Sequence, residues 1–174
     1  MVPDDVVIRC GLAADVALER PLLRQLRTEL RRAEALAVAG RALRTRDLSR
    51  RRVGERLARA GVPPAAEQSA LAALAEAGVL DDSRLALRRA HSLAERGWGN
   101  AAVAERLRGE GIGENEIQSA LADLDPELDR AARLVASAGG AAKAWALLSR
   151  RGFDPDTIEA LVDPLDGAER GGLG

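Results

Sequence analysis

Leu, Ala and Val recur along this chain at intervals of three and four, the spacing that gathers apolar side chains on one face of a helix. Between 21 and 46, Leu22, Leu26, Leu30, Ala33, Leu36, Ala37, Gly40 and Leu43 form a continuous stripe, which predicts one long helix. A helix of about 25 residues spans roughly 37 Å. Arg20, Arg24, Arg27 and Arg31 cluster within about 60° on its opposite side. Val53 and Leu57 then mark a second helix, and Gly61, Pro63 and Pro64 part it from a third that holds Leu71 and Leu74. From Asp81 and Asp82 a helix runs to about Arg96, with Leu85, Ala86, Ala90 and Leu93 inward, until Gly97-Trp98-Gly99 breaks it. Val103 and Leu107 lie on the next helix, closed by Gly111, and Ile117, Ala120, Leu121 and Leu124 share a face after that. The last third follows the same plan. Its helices run from 128 to about 138, past Leu148 to Gly152, and through Ile158, Leu161 and Val162, with Trp145 and Phe153 placed in the core by spacing. Residues 4–10 read as a short helical turn ended by Gly11.

The chain repeats itself. Sliding it by 50 residues lays 43–71 over 93–121 without a gap, with eleven identities in 29 positions, including Leu57/Leu107, Gly61/Gly111 and the run Gln68, Ser69, Ala70 and Leu71. A further slide of 41 places Leu107 on Leu148, Gly111 on Gly152, Ile112 on Phe153 and Ile117 on Ile158. Units this small bury little core alone and are stabilised by stacking. The expected fold is all-α, three tandem three-helix repeats forming an elongated, curved helical array. The expected divisions are an N-terminal extension 1–19, the long helix with the first repeat 20–79, a second repeat 80–124, a third 125–165 and a flexible tail 166–174.

Composition agrees with helices. Leu and Ala are strong helix formers, whereas strands favour β-branched and aromatic residues, and this chain has one Phe, two Trp and no Tyr. The net charge of −1 hides an asymmetry: residues 20–60 hold thirteen Arg against four acids, a balance of +9, and residues 61–174 hold twelve basic against nineteen acidic residues, −7. Residues 1–19 supply the remaining −3. Such separation suggests that one end meets a polyanion or an acidic protein face.

Little in the chain points to catalysis. Cys10 is the only cysteine and His91 the only histidine, which leaves no disulfide and no Cys- or His-rich metal site to expect. Asp81 and Asp82 suit a helix start, where acids meet free N–H groups and the positive end of the dipole. Lys143, the only lysine, lacks the spacing of a phosphate loop after Gly139-Gly140, and no serine has the partners of a hydrolase triad. No enzyme activity, cofactor or metal is expected. No apolar run reaches the length of a membrane helix, and the N-terminus lacks the order of a signal peptide, so a cytoplasmic monomer is the expectation.

Arg50, Arg51 and Arg52 open the second helix of the first unit, and Arg52, Arg56 and Arg59 stack along it beside Val53 and Leu57. Guanidinium forks suit phosphate and carboxylate. With Arg24, Arg27 and Arg31 they form a candidate binding face. Trp98, between two glycines at a helix joint, reads as packing into that joint with the glycines as turn formers. With Arg96 it is also carried as a candidate contact for the partner.

The run Leu80-Asp81-Asp82-Ser83-Arg84-Leu85-Ala86, followed by Arg96-Gly97-Trp98-Gly99 and a helix closing on Gly111-Ile112, resembles the RecX family pattern. Ala42-Leu43-x-x-Arg46-Asp47-Leu48-Ser49 and Arg150-Arg151-Gly152-Phe153 extend the likeness over about 36–162. Leu85 stands where that family usually has Phe, and Arg89 where an aromatic is common. The resemblance implies a modulator that binds the RecA filament on single-stranded DNA and restrains its growth and activity, in homologous recombination, DNA repair and the SOS response. A second reading is a helix-turn-helix-like DNA-binding regulator, but the third helices, 65–77, 114–124 and 156–162, carry no Arg or Lys. A third is a helical scaffold for an unrelated protein, with no effect on a recombinase.

Overall fold

The computed structural model describes residues 2–12 and 19–171. Met1, residues 13–18 of the expected extension and 172–174 of the expected tail lie outside the described residues. Among the described residues the structure is all-helical, in two compact units, Met1–Asp81 and Asp82–Gly174. The first contains α1 (Asp4–Cys10), α2 (Arg20–Leu43), α3 (Arg50–Arg59) and α4 (Pro64–Glu76). The second contains α5 (Asp82–Glu95), α6 (Asn100–Gly109), α7 (Glu114–Ala122), α8 (Glu127–Val135), α9 (Ala141–Arg150) and α10 (Pro155–Gly171). No described helix is long and apolar enough to cross a membrane.

In the first unit α2, α3 and α4 enclose one core built on Val53, Leu57, Ala70, Leu71 and Leu80. The register of α2 differs from the expected stripe. Its deepest positions are Ala35, Ala39 and Ala42, while Leu36 and Leu43 pack at the margin and Ala37 is exposed. The reason is packing: α2 meets α1, α3 and α4, and small side chains at the crossings let helix backbones approach. Ser49, almost wholly buried, starts α3 by accepting a hydrogen bond from the Arg52 backbone N–H at 3.3 Å.

The second unit holds two cores, one built on Leu85, Ala86, Val103, Leu107, Ile117 and Ala120, the other on Ala131, Ala144, Leu148, Phe153 and Ile158. Leu57, Leu107 and Leu148, which the repeats superpose, are all 0% exposed. Trp145 departs from expectation, being 56% exposed. Ala141, Ala144 and Leu148 take the inward line of α9, and Trp145 lies to one side of that line. Helix α10 carries on past 165, where the third repeat was expected to end, to Gly171, and contains Pro164.

The two helix sets of this unit are joined at Gly97-Trp98-Gly99. Gly97 is a turn former with φ of +77°, but Gly99 is not, because its φ is −76°. Gly99 is needed for close approach: its N–H donates to the Arg151 carbonyl at 2.9 Å, and its Cα faces the Gly152 carbonyl. Two guanidinium groups then lock the joint. Arg151 donates to the carbonyls of Arg96 and Gly97, which lie just past the end of α5. Arg130, 5% exposed, donates to the Trp98 carbonyl at 2.9 Å, the Asp125 carbonyl at 3.0 Å and the Asn100 side chain. Burial pushes the Arg130 pKa down. In return, Glu127 accepts from the Asn100 N–H at the start of α6, at 2.6 Å.

Candidate interaction surface

Helix α3 begins with Arg50, Arg51 and Arg52 and has no acid in its first turn. The positive end of a helix dipole favours negative charge, so this arrangement opposes local stability. Glu55, one turn in, relieves part of it. Its carboxylate accepts from Arg52 at 2.8 Å and Arg51 at 3.3 Å, and Arg59 reaches it at 3.5 Å. The hydrogen bond from Arg52, with the positive charges of Arg52 and Arg51, holds Glu55 below the ordinary carboxylate value despite desolvation. Val53 and Leu57 turn inward on the same helix, which leaves Arg51, Arg52 and Arg59 in solvent.

Arg56 and Arg59 line a groove of about 460 Å³ with Val38, Arg41, Ala42 and Thr45 of α2 and its C-terminal end. Thr45 donates its hydroxyl to the Ala42 carbonyl at 2.9 Å, which leaves the three guanidinium groups to set the groove's charge. Arg24, Arg27 and Arg31 stand exposed on the N-terminal half of α2, with no carboxylate paired to them among the described residues. Their neighbour Arg32 instead turns toward Glu29, at 3.6 Å, and Glu29 also meets Arg9 at 3.7 Å.

Arg96 and Trp98 belong to the other unit. Arg96, just past the end of α5, is exposed and folds back on that helix, donating to the Ser92 carbonyl at 2.8 Å and hydroxyl at 2.9 Å. Trp98 is half-buried against the core of α5, α6 and α7, with the Arg106 guanidinium 3.6 Å above its ring and that of Arg151 at 5.4 Å. It packs at the joint, as its position predicts. His91 is exposed and pairs with Asp123 at 2.8 Å.

Sequence reasoning missed Arg41 and Glu55. Arg41 lies off the face shared by Arg24, Arg27 and Arg31, and only the packing of α3 brings it to Arg56 and Arg59. Glu55 had a legible signal, since Arg51 and Arg59 flank it at i−4 and i+4.

Among the described residues, fold and surface together define an all-helical protein with three small cores and an arginine-rich face. The chain is similar to Regulatory protein RecX of Halorhodospira halophila, 34% identical over 145 residues that make up 77% of this chain and 90% of that protein. It is also similar to Regulatory protein RecX of Stenotrophomonas maltophilia, 32% identical over 166 residues, 88% of this chain and 98% of that one. The chain belongs to the RecX family of regulatory proteins. No family model matches it. A crystal structure of regulatory protein RecX shares the fold with a TM-score of 0.80 at 20% identity, over 93% of this chain and 88% of that one. That of RecX from Lactobacillus salivarius does so with a TM-score of 0.71 at 16% identity, over 78% and 97%.

Proposed function

We propose that the chain regulates the RecA recombinase by binding the RecA filament assembled on single-stranded DNA, restraining its ATPase, strand exchange and growth in DNA repair and the SOS response. Family membership supports the choice of partner. One observation supports the mode of contact: three arginines crowd the first turn of α3 against the dipole's preference, with no acid among them. A phosphate or a recombinase carboxylate placed there meets both the guanidinium groups and the helix end, which offsets the local cost. On this reading the protein acts in the cytoplasm as a monomer, by binding alone, with no cofactor. Arg24, Arg27, Arg31, Arg50, Arg51, Arg52, Arg56 and Arg59 make the main face, and Arg96 and Trp98 are secondary contacts. The helix-turn-helix alternative is weaker, because a reading helix needs positive charge and neither α4 nor α7 carries Arg or Lys.

Replacing Arg51, Arg52 and Arg56 together by Ala tests the proposal. Val53 and Leu57 keep α3 in place, and circular dichroism serves as the control. Affinity for RecA on single-stranded DNA is compared between parent and variant at two salt concentrations, beside suppression of RecA ATPase. The expected result is weaker binding and a flatter salt dependence, because phosphate contact releases counterions. A folded variant with parental affinity and salt slope overturns the arginine face as the site of contact.

A further inference from the structure

Helices α9 and α10 leave a second surface of opposite chemistry. Trp145, 56% exposed, stands over a groove of about 300 Å³ lined by Ser149, Phe153, Pro155, Ile158 and Glu159. Phe153 and Ile158 are held in the core beneath, so the groove has an apolar floor that their packing fixes. An indole is large, rigid and amphipathic, and exposing it in place of burying it forgoes a large hydrophobic gain. Single exposed apolar residues are ordinary. Here the indole borders an apolar groove and a charged rim of one sign.

That rim is acidic. Glu159 lines the groove, and Asp154 and Asp156 stand exposed on either side of Pro155. From Gly152 to Gly167 the chain has five acids, Asp154, Asp156, Glu159, Asp163 and Asp166, and no Arg or Lys. On α9 the nearest basic residues, Lys143 and Arg150, lie about 160° and 140° round the helix from Trp145. The side chains flanking Trp145 and Ser149 on that helix are Ala142 and Ala146, which carry no charge. A nucleic acid entering the groove would bring phosphate to carboxylate, so its stacking on Trp145 is opposed by charge.

We propose that this groove docks a cationic segment of a protein partner, one that inserts a large apolar side chain beside Trp145 and sets Lys or Arg against Glu159, Asp154 and Asp156. Anchoring by an aromatic with charge complementarity at the rim is how small protein interfaces concentrate affinity and orientation. The site lies in the second unit and the arginine face of the proposed function in the first. One can therefore fail without the other.

The full chain is titrated into a labelled synthetic amphipathic Leu/Lys peptide, a labelled Leu/Glu peptide of the same length and labelled single-stranded DNA. Affinity is read from the anisotropy of the label, and indole emission of the parent is followed beside it. The Leu/Lys peptide should shift emission to shorter wavelength as Trp145 leaves water. Trp145→Ala and Glu159→Lys should each weaken its binding by roughly tenfold or more, with the fold unchanged by circular dichroism. The Leu/Glu peptide should not bind. The same Leu/Lys affinity in folded Trp145→Ala overturns the proposal. So does DNA binding that Trp145→Ala abolishes, and so does self-association of the chain, seen by sedimentation, that Trp145→Ala abolishes.

Discussion

A Cβ built on Gly99 would lie 2.2 Å from the Gly152 carbonyl oxygen, closer than any side chain can sit against backbone. Gly99→Ala must therefore push the two helix sets of the second unit apart, at about 1–3 kcal/mol or more. Gly40→Ala is the contrast. Gly40 lies inside α2 with nothing within 4 Å of its Cβ position, so alanine there should stabilise by about 0.5–1 kcal/mol. Chemical denaturation of both variants checks the pair of opposite signs.

Leu107→Ala empties a fully buried site and should cost about 2–5 kcal/mol. Trp145→Ala removes a larger side chain from solvent and should stay within about 0.5 kcal/mol of the parent. A lower melting temperature for Trp145→Ala than for Leu107→Ala would contradict the register of α9.

Arg130→Met removes the donor that satisfies the carbonyls of Trp98 and Asp125 and the Asn100 side chain. Leaving them unpaired should cost about 1–3 kcal/mol, less whatever the buried charge itself costs. Near-ultraviolet dichroism of Trp98 should weaken with it. Arg130→Lys should not restore the parent, because an ammonium cannot span the three acceptors as the fork does.

Glu55 links the arginine face to pH. Its folded pKa is depressed, so its contribution to stability is complete above the unfolded value and is lost as pH falls through the folded one. Acidifying through that range weakens the hold of Glu55 on Arg51, Arg52 and Arg59. Glu55→Gln should therefore raise affinity for single-stranded DNA at neutral pH and steepen its salt dependence. Affinity of the parent should rise on acidification, and that rise should be absent from the variant. Fluorescence anisotropy with a labelled oligonucleotide measures both effects.

Helix positions and the inward residues Leu57, Leu107 and Leu148 were legible because each helix that bears them closes on a glycine at a constant distance. Trp145 was misplaced for a physical reason: apart from Lys143, α9 is Ala, Leu, Trp and Ser until its terminal Arg150, so polarity does not mark its outward side. The centre of α2 was misjudged because leucines flank a line of alanines, and periodicity favours the larger side chain. The arginine residues of the proposed binding face were visible as charge, but the groove was not, since Arg41 meets Arg56 and Arg59 only through tertiary packing. Arg130 gave no signal, because a guanidinium is normally a surface group and two of its acceptors, the Trp98 carbonyl and the Asn100 side chain, lie 32 and 30 residues away in sequence.

The carbonyls past the end of α5 are capped by Arg151, and the first N–H of α6 is held by Glu127. Neither helix set of the second unit is thus a finished building block. A fragment ending at Leu124 would keep its apolar core and yet fray at two interior helix ends, while α8–α10 alone would carry two guanidinium groups, those of Arg130 and Arg151, parted from these acceptors. The smallest piece that closes its own hydrogen bonds is the pair, and hydrogen exchange should find the amides of α5, α6 and α9 opening together.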